Sequence, residues 1–273
     1  MKDDKYKYYT CRYDAAFKEV FLQKDTSLLK IFLENILKIK INRIEIANGE
    51  LNNKNINVKR KLVDSIIYTD EGVFNVEVNT SIDDSVRVRN ACYIMNVYSN
   101  QFLKGDSYNS ITKYIQINLN YNDKRNKLMD EYKIRNIEGE PLVGNFQIFH
   151  FNMDKYMEFW YNRDKEEIEK NKYLIMLDLS KEDLVALSKE DKVVTDYMEK
   201  LDNINEDPRF QSYMSAEEDD RKLLNTYKEK AEKAYEKATV DYCISLYNNG
   251  VDIKVIAESL SLSIDEVRKI LSK

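Results

Sequence analysis

Histidine, proline, glycine and cysteine are all scarce in this 273-residue chain, and each shortage narrows what it can be. A single histidine, His150, excludes metal centres built from several imidazoles. A serine–histidine triad could be built only around that one residue, which sits in an apolar, strand-like run. Two prolines and six glycines leave no stiff or flexible linker of recognised composition, so long uninterrupted elements are expected. The three cysteines, Cys11, Cys92 and Cys243, are odd in number and widely scattered. They make neither a disulfide framework nor a zinc knuckle, and a reducing, cytoplasmic compartment fits them. Neither GxGxxG nor GxxxxGK(S/T) occurs, so no nucleotide cofactor is expected. No run approaches the ~18 apolar residues that span a bilayer, and no apolar stretch follows Met1–Lys5 as in a secretory signal, so no membrane association is expected.

What remains is an ordinary globular balance, 43% hydrophobic and 33% charged, with 20 tyrosines. Chemistry in such a chain falls to carboxylates, which recruit hard cations such as Mg²⁺ or Mn²⁺ through oxygen. The net charge of −5 gives no long-range attraction to nucleic acid, so any such contact must be local.

Helical periodicity appears over Tyr13–Gln23 (Ala16, Phe17, Val20, Phe21) and Leu28–Leu37 (Leu29, Phe32, Leu33, Ile36). Ile41–Ile46 alternates weakly, as strands do. Lys61–Thr69 and Val73–Thr80, rich in Val, Ile, Tyr and Phe, read as two strands around a turn at Asp70-Glu71-Gly72. A long helix is expected over Asp84–Leu103, capped near Gly105, followed by strands at Lys113–Tyr121, Glu131–Asn136 and Asn145–Asn152. Beyond that the chain turns helical and highly charged. The expected organisation is an α/β core over 1–152, a helical extension over 153–238 and a small helix-turn-helix-like unit over 239–273. In the last of these, Ser263-Ile264-Asp265-Glu266 is a capping box.

The turn at 69–72 carries the functional argument. If it is two or four residues long, antiparallel pairing sets Asp64 opposite Glu77 and Leu62 opposite Asn79. Facing residues have Cβ atoms ~4.5–5.5 Å apart, close enough for both carboxylates to grip one cation. A three-residue turn would reverse every side chain. Phe74, Val76 and Val78 make one core face of the second strand, while Asn75, Glu77 and Asn79 make the other polar. Taken alone, the same acids read more readily as solvated residues on the open face of an edge hairpin.

Asp64, twelve intervening residues and then Glu77-Val78-Asn79 resembles the D…ExK or ExQ core of the PD-(D/E)XK nucleases. More narrowly, the chain resembles the recombination-promoting, transposase-associated nucleases. Supporting landmarks are Tyr13-Asp14-Ala15-Ala16-Phe17-Lys18-Glu19-Val20-Phe21, then Phe74-Asn75-Val76-Glu77. After these come Arg89, Tyr93, Tyr98, Gln101, Gly105 and Tyr108, the run Phe146-Gln147-Ile148-Phe149, and the tail from Gly250 to Leu271. The resemblance implies a restriction-endonuclease-like α/β fold, a mixed sheet flanked by helices with a helical C-terminal extension. It implies a DNA endonuclease in which Asp64, Glu77 and the Val78 carbonyl hold Mg²⁺ or Mn²⁺. On it, Asn79 orients water and Asp14 is an accessory acid. On it too, Lys18 is a phosphate contact. By position alone, Arg87 and Arg89 at the start of the crossover helix are candidate DNA contacts, although arginines so placed are more often simply solvated. Asn79 departs from the pattern, being uncharged where the superfamily has lysine and shorter than the glutamine usual in this family. A catalytically degenerate protein that binds DNA, regulates or dimerises is therefore the competing expectation. The C-terminal unit fits DNA binding or a homodimer equally.

Overall fold

The structure is a computed structural model that describes residues 7–47, 66–80, 84–99, 112–142 and 144–272. It opens with α1 (Asp14–Phe21) and α2 (Ser27–Leu37), then β1 (Ile44–Ala47), β2 (Ile66–Thr69) and β3 (Gly72–Asn79). The crossover helix α3 (Asp84–Ser99) leads to β4 (Tyr114–Asn120), followed by β5 (Met129–Tyr132) and β6 (Phe146–Asn152). The six strands form one mixed sheet in the order β1-β2-β3-β4-β6-β5. Strands β3, β4 and β6 are parallel, and the outer strands run antiparallel to their neighbours.

The β2–β3 turn has the even length expected from sequence. Thr69 faces Gly72, Tyr68 faces Val73 and Ile67 faces Phe74. Gly72 is needed at that corner. Its φ is +143°, and a Cβ there would lie 2.5 Å from the Lys113 carbonyl oxygen, which accepts from the Val73 amide at 2.7 Å. The Asp70 carboxylate accepts hydrogen bonds from the amides of Asn42 and Arg43 and from the Asn42 side chain, joining the turn to the chain entering β1. These bonds, led by that from the Arg43 amide, hold its pKa down at about 2.

One face of the sheet is apolar. Ile67, Phe74, Val76, Val78, Ile115, Ile117, Leu119 and Phe151 pack there with Phe17, Val20 and Phe21 of α1 and Leu29, Phe32 and Leu33 of α2. The same cluster takes in α4 (Met153–Tyr161), α5 (Lys165–Ile175), α6 (Lys181–Leu187) and α7 (Lys192–Glu206). Through it the helices after β6 share their buried surface with the sheet. Each fully buried aliphatic or aromatic side chain contributes roughly 1.5–3 kcal/mol. Asn205 of α7 closes the arrangement, accepting from the Tyr9 amide at 2.7 Å and donating to the Tyr9 carbonyl at 2.9 Å.

The chain divides into two compact units, Met1–Gln211 and Ser212–Lys273. The second unit holds most of α8 (Pro208–Asn248), then α9 (Ile253–Leu260) and α10 (Ile264–Leu271). Cys243, Ile256, Ala257 and Val267 form its small core. The capping box is formed: Ser263 Oγ accepts from the Glu266 amide at 3.2 Å, and Glu266 Oε2 accepts from the Ser263 amide at 2.7 Å. Among the described residues, no helix is long and apolar enough to cross a membrane.

Strand β5 begins and ends before the expected Glu131–Asn136. Pairing with β6 starts at Met129 opposite Phe151, and Arg125 and Lys127 both bond Asp130. The helix expected to Leu103 is described to Ser99, and its Gly105 cap lies outside the described residues.

Candidate active site

The second face of the sheet changes character along the strands. At the starts of β3, β4 and β6, Val73, Tyr114 and Phe146 pack with Ile66 of β2 and with Ile94 and Val97 of α3. Moving toward the carboxyl ends, the residues on this face become Asn75, Gln116 and Ile148, then Glu77, Asn118 and His150, then Asn79, Asn120 and Asn152. The carboxyl ends of parallel strands are where open α/β sheets bind ligands. Glu77 is therefore buried, at 7% exposure, on a polar rather than an apolar surface.

A hydrogen-bonded chain of amides organises this surface. Asn75 Nδ2 donates to Glu77 Oε1 at 2.9 Å and to Gln116 Oε1 at 3.0 Å. Gln116 Nε2 donates to Asn118 Oδ1 at 3.2 Å, which also accepts from Asn90 of α3 at 3.0 Å. Further along, Asn79 Nδ2 donates to Asn120 Oδ1 at 3.0 Å, and Asn120 Nδ2 lies 3.2 Å from His150 Nδ1. Arg89 reaches both branches. Its Nη2 donates to Asn79 Oδ1 at 3.3 Å and its Nε to Asn90 Oδ1 at 3.4 Å. Polar groups so buried persist only when satisfied.

Asn75 Oδ1 is the exception, a buried oxygen without a hydrogen-bond partner among the described residues. Leaving such a group bare costs roughly 1–3 kcal/mol. Its orientation is fixed because the nitrogen already serves two acceptors, so the oxygen remains as an acceptor beside the Glu77 carboxylate. The backbone adds another oxygen. Val73 donates to Lys113, and the Asn79 carbonyl accepts from Tyr121 at 2.8 Å, so odd-numbered residues of β3 bond to β4. Strand alternation then turns the Val78 carbonyl toward the β2 side. An all-oxygen donor set of carboxylate, carbonyl and amide fits Mg²⁺ or Mn²⁺ and suits softer metals poorly. Among the described residues, no three acid, histidine or cysteine side chains converge as a ready-made metal cluster.

The remaining sequence candidates fall as follows. Asp64, expected to face Glu77, lies outside the described residues. Asp14 opens α1 and forms an ion pair with Lys18 one turn on. That helix packs on the apolar face through Phe17, Val20 and Phe21. Arg87 and Arg89 both precede the buried Asn90 on α3, and both are exposed. The charge of Arg87 is felt at Asp123 and His150, and Arg89 bonds to Asn79. His150 is pushed down to about 4 by burial and by the charges of Arg125 and Arg87. It is therefore a neutral end of the amide chain at neutral pH. The described ring of Tyr98 stacks edge-on against Phe146, with its hydroxyl 2.7 Å from Asn145 Oδ1, so it is a packing residue. The side chain of Tyr93 and all of Tyr108 lie outside the described residues.

Sequence reasoning passed over Asn90, Gln116 and Asn120. The signal was present in β4, where Tyr114, Gln116, Asn118 and Asn120 alternate with Ile115, Ile117 and Leu119. Amides at every second position of a strand buried on both faces imply a partner set on the neighbouring elements.

The family model of PD-(D/E)XK nuclease family transposases matches residues 11–234 of the chain. No curated protein and no solved structure matches it.

Proposed function

We propose, from the premise that this chain belongs to the PD-(D/E)XK nuclease transposase family, that it is a metal-dependent endonuclease hydrolysing DNA phosphodiester bonds. Asp64 and Glu77 would hold Mg²⁺ or Mn²⁺ together with the Val78 carbonyl. The observation that carries this reading is the position of Glu77. It is a carboxylate on a polar face, at the carboxyl end of a central parallel strand, in a hairpin whose described register is the one that sequence expects to bring Asp64 opposite it. When bound, a divalent ion supplies Lewis-acid polarisation of the scissile phosphate and a lowered pKa for water. The protein's own groups do the rest. Asn75 holds the Glu77 carboxylate in place through its amide nitrogen. Arg87 and Arg89, exposed on α3 beside the polar face, offer cations to the DNA backbone. Asp14 and Lys18 are the accessory acid and phosphate contact that the family resemblance assigns. DNA is the proposed partner and the cytoplasm the proposed compartment.

Plasmid incubated with purified protein and Mg²⁺ tests the reading beside Glu77→Gln and Asp64→Ala. Nicking by the wild type that both variants lose, with a matching loss of Mn²⁺ binding in calorimetry, is the expected result. Equal nicking by all three would remove the assignment.

A second reading, a family member that binds DNA or dimerises without cutting it, is favoured by Asn79. Both ends of its amide are committed, to Arg89 and to Asn120, and it carries no charge. Wild-type protein that binds DNA and Mn²⁺ yet cuts neither supercoiled nor single-stranded substrate would favour this reading. Metal-dependent cutting lost in Glu77→Gln would end it.

A further inference from the structure

We infer that Arg89 supplies the positive charge that position 79 lacks, acting on the DNA phosphate, and that Asn79 serves as the tether that holds it there. The inference rests on the nuclease reading above and names the cation of that same site.

Asn79 is only 3% exposed, and both ends of its amide are engaged. Its nitrogen donates to Asn120 and its oxygen accepts from Arg89, so the orientation of the amide is set by neighbours on β4 and α3. A residue fixed in this way is poorly placed to turn toward water, and its neutral amide cannot offset a developing negative charge. The guanidinium bonded to it can do so, since it is permanently charged and has several N–H groups in one plane. Asn79 follows Glu77 by two residues on the same face, about 6.6 Å along the strand. The guanidinium bonded to Asn79 is thus on the same polar face as the proposed metal ligand Glu77.

The surroundings favour this placement. Arg89 is anchored at Asn79 Oδ1 and at Asn90 Oδ1, and Asn90 is itself held by Asn118. These two anchors are neutral amide oxygens, which orient the guanidinium without themselves opposing its charge. The Asn79–Arg89 pair therefore does jointly what a single lysine side chain does at the third position of an ExK motif.

Full-length Arg89→Gln and Arg89→Lys, beside Glu77→Gln, test the assignment. Glutamine retains an amide donor for Asn79 but not the charge, whereas lysine retains the charge. Single-turnover cleavage of a duplex with Mn²⁺ and calorimetric Mn²⁺ binding are both read. The expected result is Mn²⁺ affinity within about twofold of wild type for both Arg89 variants, with cleavage in Arg89→Gln lower by about 10²–10³-fold. Arg89→Lys should keep more of the rate than Arg89→Gln, and added guanidinium ion should restore at least about tenfold in Arg89→Gln. Cleavage by Arg89→Gln within about threefold of wild type, while Glu77→Gln is inert, would overturn the role of Arg89 and leave the nuclease reading intact. Loss in Arg89→Gln that neither lysine nor guanidinium relieves would also overturn it, since shape alone would then explain the loss. Wild type that neither binds Mn²⁺ nor cuts would overturn both readings.

Discussion

His150 Nδ1 lies 3.2 Å from Asn120 Nδ2, at the far end of the amide chain that begins at Arg89. If the amide donates, the imidazole accepts, and it must be neutral with its proton on Nε2. Burial, then Arg125 and Arg87, press its pKa to about 4, against about 6.5 for the free side chain. The sign of the pH effect follows. Between those two values the unfolded chain binds more protons at this residue than the folded one, so stability rises with pH across the window. The contribution is fully present above about 6.5 and is lost as the pH falls toward about 4. Denaturant unfolding at about pH 7 and about pH 5 should show a larger loss for the wild type than for His150→Gln. Identical losses would contradict the assignment, and with one histidine in the chain its NMR titration is unambiguous.

A lysine at position 79 would restore the letter of the motif and damage this protein. Its ammonium would enter a buried position beside the Arg89 guanidinium, and two like charges about 4 Å apart repel by about 4 kcal/mol at an effective dielectric of 20. After relaxation, Asn79→Lys should destabilise the fold by on the order of 2 kcal/mol. In an Arg89→Ala background the same substitution should cost less. Urea denaturation of the four proteins of this cycle measures the coupling, and additive effects would show that the two side chains do not meet.

Gly72→Ala should destabilise the sheet by about 1–3 kcal/mol, the usual size of a strained backbone position. Two causes add, the positive φ and the approach to the Lys113 carbonyl. The measurement is the shift in thermal midpoint. A neutral or stabilising alanine would mean that the corner relaxes without disturbing the β3–β4 contact.

Removing the hydroxyl of Ser263 tests the C-terminal unit by itself. Ser263→Ala deletes the side chain that accepts from the Glu266 amide and should cost about 1 kcal/mol. Hydrogen exchange at the Glu266 amide should quicken accordingly. Unchanged protection there would show that the helix start is held by something other than its cap.

Much of this architecture could be read from residue order. The hairpin register was legible only on the condition of an even turn, which pairing of Thr69 with Gly72 meets, since a period of two tolerates no slip. The crossover helix, the strand after it and the capping box were legible for similar local reasons. The amide chain was not. Its links join Asn79 to Asn120 and Asn90 to Asn118, and no single-sequence pattern reports which buried amides meet across strands and helices. Arg89 stood out only as an exposed cation near the site, since its bond to Asn79 depends on how α3 crosses the sheet. The helices after β6 read as a charged extension, because their short apolar stripes do not say what they cover. In the folded chain α4 to α7 cover the apolar face of the sheet.

The clasp between Tyr9 and Asn205 has a temporal meaning. Its two partners are separated by 196 residues, and Gln211 adds a bond to the Lys7 carbonyl from further still. At about 5–20 residues per second of synthesis, Asn205 leaves the ribosome about 10–40 s after Tyr9. Until then the amide and carbonyl of Tyr9 wait without their native partner. A chain stalled or clipped before α7 is complete would therefore carry Glu77 and its neighbours on an unlatched scaffold.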